Sequence, residues 1–257
     1  MAKSLLRAAR ALARSFGIDI VRHRDGQPRT PPADIDAPAA ATIRLVQPYT
    51  MTSPERLFAL IQAVRHVSAA AIAGDIVECG VWRGGSMMAA ARTLLESGDA
   101  TRDLFLYDTY EGMSPPGATD VNIDGQAASA LLRAQDKDDP GSAWCYATLE
   151  DVRTALSGTG YEISRIHFVK GRVEHTIPAT APERIAVLRL DTDWYESTRH
   201  EMYHLYPRLS PGGVLIIDDY GHWAGCRKAV DEYLASRGIH LLLTRIDYTG
   251  RIAVKPA

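Results

Sequence analysis

Carboxylates at the ends of two apolar segments are the residues best suited to chemistry in this 257-residue chain. Segment 186–190 runs into Asp191, and segment 214–217 runs into the pair Asp218 and Asp219. Each segment is short, apolar and rich in branched side chains, which predicts a buried parallel strand. Three carboxylates at one sheet edge repel one another unless a hard divalent cation lies between them. A helix cap needs one carboxylate, so the adjacent pair favours a metal site.

A glycine turn follows the first predicted strand, residues 75–79, and opens a helix. Gly80 lets the backbone approach a ligand, and the helix N-terminus attracts negative groups. The turn is not a dinucleotide fingerprint, because Trp82 stands where that motif needs glycine. It is not a P-loop either, because Ser86 occupies the lysine position. The turn therefore predicts a site for a small polar ligand.

Two further polar residues follow predicted strands. Asp108 comes after segment 104–107, where an acid either accepts hydrogen bonds from ribose hydroxyls or caps a turn. His222 follows the acid pair, where it can act as a base, contact a substrate or simply lie at the surface. The glycine turn and Asp108 together suggest a nucleoside-type cofactor.

Two other motifs are interpreted as non-functional. Residues 200–204 spell H-E-x-x-H, the zinc-protease motif, but they fall on a predicted packing helix between two parallel strands. We interpret this match as coincidence. Residues 120–125 match the start of an EF-hand loop, but Leu131 stands where the bidentate glutamate is required. We interpret this segment as an acidic loop, with weak calcium binding as the less favoured alternative.

Strands and helices alternate from residue 74 onward, which predicts an α/β fold with a Rossmann-like, doubly wound, mostly parallel sheet. The predicted strands are 75–79, 104–107, 166–169, 186–190 and 214–217, and the predicted helices are 53–71, 86–95, 149–156, 197–206 and 226–236. Residues 239–254 predict an antiparallel hairpin that closes one edge. Residues 112–147 form an oversized connection, which predicts a lid.

Composition limits the possible classes of protein. A hydrophobic content of 46% and a net charge of −2 exclude a disordered chain and give no case for nucleic-acid binding. The three cysteines lack CxxC spacing and fit a reducing cytoplasm. No apolar run is long enough to span a membrane.

The N-terminal region predicts a separate arm, residues 1–40, before a domain of residues 41–257. Residues 1–16 interleave basic and apolar side chains as an amphipathic helix, and residues 27–41 have the composition of a linker. We expect the arm to serve in homo-oligomer contact. Peripheral binding to an anionic membrane is not favoured, because its apolar face carries one aromatic side chain, Phe16.

Three blocks of sequence, residues 78–85, 190–195 and 206–220, resemble the macrocin O-methyltransferase family. The resemblance extends from about residue 49 to the C-terminus. It implies an enzyme that uses S-adenosylmethionine and Mg²⁺ to methylate sugar hydroxyls of macrolides and related natural products.

The resemblance also implies roles for matching residues. Asp191, Asp218 and Asp219 are the implied magnesium ligands, and Asp191 is also the implied general base. Asp108 is implied to hold the ribose. With Ser86 added from the helix start, the expected cofactor-binding residues are Tyr49, Thr50, Met51, Glu78, Gly80, Ser86, Asp108, Gly171 and Arg172. His222 is a second catalytic candidate, expected to contact the acceptor.

The expected function is methyl transfer to a sugar hydroxyl that is acidified by the metal and deprotonated by a carboxylate. A catechol-type phenol is an alternative acceptor, because it also chelates a metal. A non-catalytic cofactor-binding protein is a second alternative, which the acid trio disfavours. A nicotinamide dehydrogenase is disfavoured by Trp82 in the glycine turn.

Overall fold

The computed structural model describes residues 34–139 and 141–256, and its centre is one mostly parallel sheet. The strands are β1 (Asp75–Cys79), β2 (Leu104–Asp108), β3 (Ile166–Lys170), β4 (Ile185–Leu190), β5 (Leu209–Ile217), β6 (Thr244–Arg245) and β7 (Arg251–Val254). Their spatial order is β3-β2-β1-β4-β5-β7-β6, in which β7 runs antiparallel to β5 and β6. The strand order reverses between β1 and β4, the place where open α/β sheets bind ligands.

Helices cover both faces of the sheet. They are α1 (Ala37–Val46), α2 (Pro54–Ala69), α3 (Gly85–Glu96), α4 (Ala128–Ala134), α5 (Leu149–Ser157), α6 (Val173–Thr176), α7 (Tyr195–His204) and α8 (Ala224–Ser236). Alternation along β5 places Val214 and Ile216 in the core beneath α1–α3, and Leu215 and Ile217 in the core beneath α7 and α8. The predicted Rossmann-like α/β class is confirmed.

The predicted parallel strands are confirmed with small shifts at their ends. β1 has the predicted bounds, whereas β2 and β3 each extend one residue further. β5 begins at Leu209, earlier than the predicted 214, because the strand continues through an irregularity in its pairing with β4, where Gly212 has a φ of +79°. Ser53 caps α2 as predicted, since its Oγ accepts a hydrogen bond from the Arg56 amide at 3.2 Å.

The predicted linker is wrong over residues 37–41, where α1 begins. Asp36 caps this helix by accepting from the Ala39 amide at 3.0 Å, and a proline lies in the first turn. Ala39 and Ile43 are buried in the core. Proline, alanine and aspartate resemble linker composition, but a capping acid followed by proline is also a helix start. The predicted helix 1–16 and the rest of the arm up to residue 33 lie outside the described residues.

The C-terminal hairpin is confirmed, but its first strand is shorter than predicted. β6 covers only Thr244–Arg245, whereas residues 239–246 were the predicted strand. The side chains of Ile239, Leu241 and Leu243 instead pack against the core beneath α8.

The long connection 112–147 is folded onto the body. It contains α4 and an isolated bridge between Asn122 and Trp223. Asp120 accepts from the Tyr195 amide at 2.8 Å and from the Gly117 amide at 2.7 Å, so both its carboxylate oxygens hold backbone. These contacts are consistent with the interpretation of residues 120–125 as an acidic loop. Within the described ranges, no helix is both long and apolar enough to cross a membrane.

Candidate active site

A cavity of 230 Å³ lies at the carboxyl ends of the central strands. Among the sequence-predicted residues, those that line it are Thr50, Met51, Gly80, Ser86, Asp108, Gly171, Arg172, Asp191, Asp218 and Asp219. Tyr49, Glu78 and His222 do not line it. The structure therefore brings together most of the residues predicted for the cofactor and all three acids predicted for the metal.

Gly80 allows the ends of β1 and β4 to meet. Its φ is +85°, and an added Cβ would lie 2.0 Å from the carbonyl oxygen of Asp191. The Gly80 amide donates to the Tyr107 carbonyl at 2.8 Å, and the Asp191 amide donates to the Cys79 carbonyl at the same distance. A side chain at position 80 would separate these strand ends.

Asp108 shapes the glycine turn and also lines the cavity. Its Oδ2 accepts from the amides of Val81 at 2.7 Å and Trp82 at 3.0 Å, and its Oδ1 accepts from the Tyr110 amide at 2.7 Å. Burial raises the pKa of Asp108 more than these donors lower it. Asp108 therefore caps the turn, which is one of the two roles that the sequence left open, and it also lines the cavity.

Three acids form a cluster in the cavity: Asp191, Asp193 and Asp219 can each offer an atom within 4.8 Å of the others. Burial raises the pKa of Asp193 to about 8, with repulsion from Asp191 as the next cause. The pKa values of Asp191 and Asp219 are also raised, again first by burial. Closely spaced, poorly solvated carboxyls of this kind fit a hard cation.

Asp193 was missed by the sequence analysis, although it is two residues after Asp191. Its φ of +68° is rare for a residue other than glycine and places it on the tight turn that follows β4. The spacing D-x-D directly after a buried strand was the signal that could have identified it.

Asp218 lies at the edge of this cluster, turned towards two arginines. Arg189 Nη2 donates to Asp218 Oδ1 at 2.6 Å, and Arg56 Nη1 donates to Oδ2. The observed cluster and the predicted set of metal ligands therefore share Asp191 and Asp219. They differ in the third acid, which is Asp193 in the cluster and Asp218 in the prediction.

Glu78 lies beneath the cavity and is fully buried. Its Oε1 accepts from Arg189 Nη1 at 2.5 Å, while its Oε2 has no partner among the described residues. Burial raises the pKa of Glu78 to about 7, against the opposing effect of Arg189. Glu78 therefore supports the floor of the cavity from below.

Arg56 and Arg189 were not identified from the sequence. Arg189 interrupts the otherwise apolar strand β4, which is a signal in itself, whereas Arg56 on α2 gives none. The acids at this site are Glu78, Asp191, Asp193, Asp218 and Asp219, and the cations that pair with them are Arg56 and Arg189. Acids outnumber cations, which leaves room for an added positive charge.

His222 lies beside the cavity and packs among aromatic rings. Its ring centroid is 4.9 Å from that of Trp223 and 6.2 Å from that of Tyr248. Its amide donates to the carbonyl of Asp219 at 3.0 Å, and burial lowers the pKa of its imidazole.

Helix α7 carries the H-E-x-x-H segment as a packing helix, as predicted. Glu201 Oε1 accepts from Thr192 Oγ1 at 2.8 Å, and His200 Nε2 is 2.9 Å from the Ile177 carbonyl oxygen. The first contact attaches α7 to the turn after β4, and the second attaches it to the end of α6. The motif therefore supports the candidate site from behind.

Comparisons with known proteins agree with this geometry. Residues 13–254 match the family model described as Macrocin-O-methyltransferase (TylF). The 8-demethyl-8-(2,3-dimethoxy-alpha-L-rhamnosyl)-tetracenomycin-C 4'-O-methyltransferase of Streptomyces olivaceus is 37% identical over 88% of this chain and 81% of that protein. The mycinamicin III 3''-O-methyltransferase of Micromonospora griseorubida is 36% identical over 79% of this chain and 76% of that protein. The solved O-methyltransferase NovP is 32% identical with a TM-score of 0.70, covering 81% of this chain and 83% of that chain.

Proposed function

The chain belongs to the macrocin O-methyltransferase family and is an O-methyltransferase, and we propose that S-adenosylmethionine is its donor and a sugar hydroxyl its acceptor. The observation that carries the proposal is one cavity lined by both a glycine turn and a cluster of acids. The name of the Streptomyces olivaceus relative includes a rhamnosyl group, which supports a sugar as acceptor.

The donor side is the glycine turn with the start of α3. Ser86 lies at this helix N-terminus, whose free amides and dipole suit the carboxylate of the donor. Asp108, which already accepts hydrogen bonds from three backbone amides, is proposed to accept also from ribose hydroxyls, and Gly171 and Arg172, which line the cavity, are proposed to lie beside adenine. The sulfonium methyl is already activated, so these residues chiefly supply position.

The acid side is proposed to hold Mg²⁺ or a similar hard cation through Asp191 and Asp219. The third ligand is Asp218, as the family resemblance implies, or Asp193, as its proximity favours. When bound, the cation would acidify a chelating hydroxyl pair and fix its orientation. Asp191 is the proposed general base. Asp193 is the second candidate, because it has no arginine partner in the described part of the chain.

Acceptor choice is assigned to two features that flank the cavity. His222 follows the acid pair, and segment 112–147 contributes Gly112, Met113, Ser114 and Cys145 to the cavity wall. We further propose a cytoplasmic homo-oligomer that binds no nucleic acid, in keeping with three free cysteines and a net charge of −2.

Ligand binding tests the donor and the metal separately. S-adenosylhomocysteine at ~100 times its dissociation constant should add about 2.7 kcal/mol to the free energy of unfolding, whereas NAD should add nothing. Asp219→Asn should remove the extra stabilisation given by Mg²⁺ and should raise the metal-free unfolding midpoint, because repulsion is relieved. Calorimetric titration of Asp218→Asn and Asp193→Asn with Mg²⁺ then identifies the third ligand.

The proposed donor and the proposed metal site can each be contradicted by a separate result. Binding of NAD without binding of S-adenosylhomocysteine would exclude the proposed donor. Undiminished Mg²⁺ stabilisation of Asp219→Asn would exclude the proposed metal site.

A further inference from the structure

Arg189 is a buried arginine on β4 whose guanidinium joins several parts of the site. Its Nη1 donates to Glu78 Oε1 at 2.5 Å and to Asp191 Oδ2 at 2.8 Å. Its Nη2 donates to Asp218 Oδ1 at 2.6 Å and to Thr52 Oγ1 at 3.1 Å. The side chain is only 4% exposed. Three of these partners are acids that neutralise its charge, whereas the Thr52 hydroxyl is not needed for that purpose.

Thr52 ends a short segment, residues 50–52, that lines the cavity. Thr50 and Thr52 are 8% and 7% exposed, whereas Met51 between them is 50% exposed. The Thr52 amide donates to Thr50 Oγ1 at 3.0 Å, so the two threonines form one local turn. An exposed methionine between two buried anchors lies where it can cover a bound ligand.

The other end of segment 50–52 rests on the start of α3. A Cβ added at Gly85 would lie 2.7 Å from Thr50 Cβ and 2.7 Å from the Tyr49 carbonyl oxygen, so this end of the segment packs closely on the helix start. The segment is therefore held at one end by packing against α3 and at the other by the hydrogen bond from Arg189.

We propose that Arg189 is a positioning residue for the methyl donor, because it fixes segment 50–52 over the cavity while it holds Asp191 and Asp218. This inference rests on the proposed function, since it takes S-adenosylmethionine as the ligand of the cavity. A planar guanidinium presents several donors in fixed directions, which a lysine ammonium does not. If Arg189 only neutralised buried acids, any effect of the Thr52 hydroxyl on donor affinity would be independent of Arg189.

Substitutions at Thr52 test the link without removing a charge. Thr52→Val should weaken S-adenosylhomocysteine binding about tenfold, the loss expected for a hydrogen bond to a charged donor. Thr52→Ser keeps the hydroxyl and should bind within about twofold of the wild type. Thr93→Val is the matched control, because Thr93 is also buried but donates to the Ala89 carbonyl of its own helix. Calorimetric titration in excess Mg²⁺ supplies the affinities.

A double-mutant cycle tests Arg189 itself. Arg189→Lys should weaken S-adenosylhomocysteine binding at least as much as Thr52→Val. The double variant should bind as weakly as Arg189→Lys, because both changes break the same hydrogen bond between Arg189 and Thr52. Thermal unfolding is measured first, and if Arg189→Lys does not fold, the valine and serine variants decide alone.

Three results would overturn the inference while leaving the proposed function intact. The first is a Thr52→Val variant that binds S-adenosylhomocysteine as tightly as the wild type. The second is an equal loss of affinity in Thr52→Val and Thr52→Ser, and the third is a loss in the double variant that equals the sum of the single losses. Failure of the wild type itself to bind S-adenosylhomocysteine would instead overturn the proposed function, and this inference with it.

Discussion

Arginines determine how negative charge is distributed among the acids of the site. Asp218 pairs with both Arg56 and Arg189, and Asp191 shares Arg189 with Glu78. Repulsion is therefore least compensated at the Asp193 and Asp219 end of the cluster. A bound cation would stabilise the structure most at that end, where Coulomb interactions are strong because the groups are poorly solvated.

Glu201 gives a pH-dependent prediction outside the metal cluster. Burial raises its pKa from the ordinary 4.5 to about 8, so the folded protein binds this proton more tightly than the unfolded chain. The free energy of unfolding should therefore fall as pH rises from about 4.5 to about 8. Glu201→Gln should match the wild type near pH 5 and exceed it at about pH 8.5, by a few kcal/mol as an order of magnitude.

Urea denaturation at the two pH values checks this prediction. Glu196→Gln on the same helix is the control, because Glu196 is 62% exposed and should keep the wild-type dependence. The other buried acids titrate in every variant, so the difference between variants isolates Glu201. An unchanged pH dependence in Glu201→Gln would show that another group binds the proton.

The junction of β1 and β4 depends on Gly80, and Gly160 provides a matched comparison. Their φ values are +85° and +81°, but a Cβ at Gly80 would meet Asp191 backbone at 2.0 Å, whereas one at Gly160 meets nothing within 4 Å. Gly160→Ala should cost about 1–2 kcal/mol, the usual penalty for a left-handed backbone. Gly80→Ala should cost about 3 kcal/mol or more, because overpacking is added.

Urea denaturation of the two alanine variants measures these costs. Titration with S-adenosylhomocysteine should also show a loss of binding only in Gly80→Ala. Equal destabilisation of the two variants would mean that the strand ends tolerate separation.

The central strands were predictable because buried parallel strands are continuous apolar runs with little ambiguity. The start of α1 was not, because its capping acid and proline resemble a linker until the burial of Ala39 and Ile43 is known. The short β6 was not predictable either. Its preceding residues are apolar because they pack against the core beneath α8, which a strand pattern alone does not distinguish.

Part of the site was predictable for a reason of topology. Leu190 pairs with Ile217 across β4 and β5, so the next residues, Asp191 and Asp218, meet at one edge. The roles of Arg56 and Arg189 depend on contacts between distant segments, such as the pair of Arg56 with Asp218. Spacing along the sequence carries no record of such contacts, so Arg56 was missed; the charge of Arg189 within an apolar strand was a signal, but it did not identify the partners of Arg189.

The folded body includes residues that precede the predicted domain start at 41. Ala39 of α1 is fully buried, and Asp36 pairs with Arg65 on α2 through Nη1 at 2.5 Å and Nη2 at 3.1 Å. Helix α1 is thus part of the core that supports α3 and the donor side of the cavity. Its loss should reduce stability even though it contributes no residue to the site.

Two truncations distinguish this role of α1 from the predicted role of the arm. Deletion of residues 1–33 should leave the unfolding midpoint and S-adenosylhomocysteine affinity unchanged, while light scattering should show a lower mass if the arm serves in association. Deletion of residues 1–40 also removes Asp36, Ala39 and Ala40, so it should cost about 2 kcal/mol in lost capping and burial. Equal midpoints for the two truncations would contradict the role of α1. A loss of S-adenosylhomocysteine affinity on deletion of residues 1–33 alone would instead place the arm at the active site.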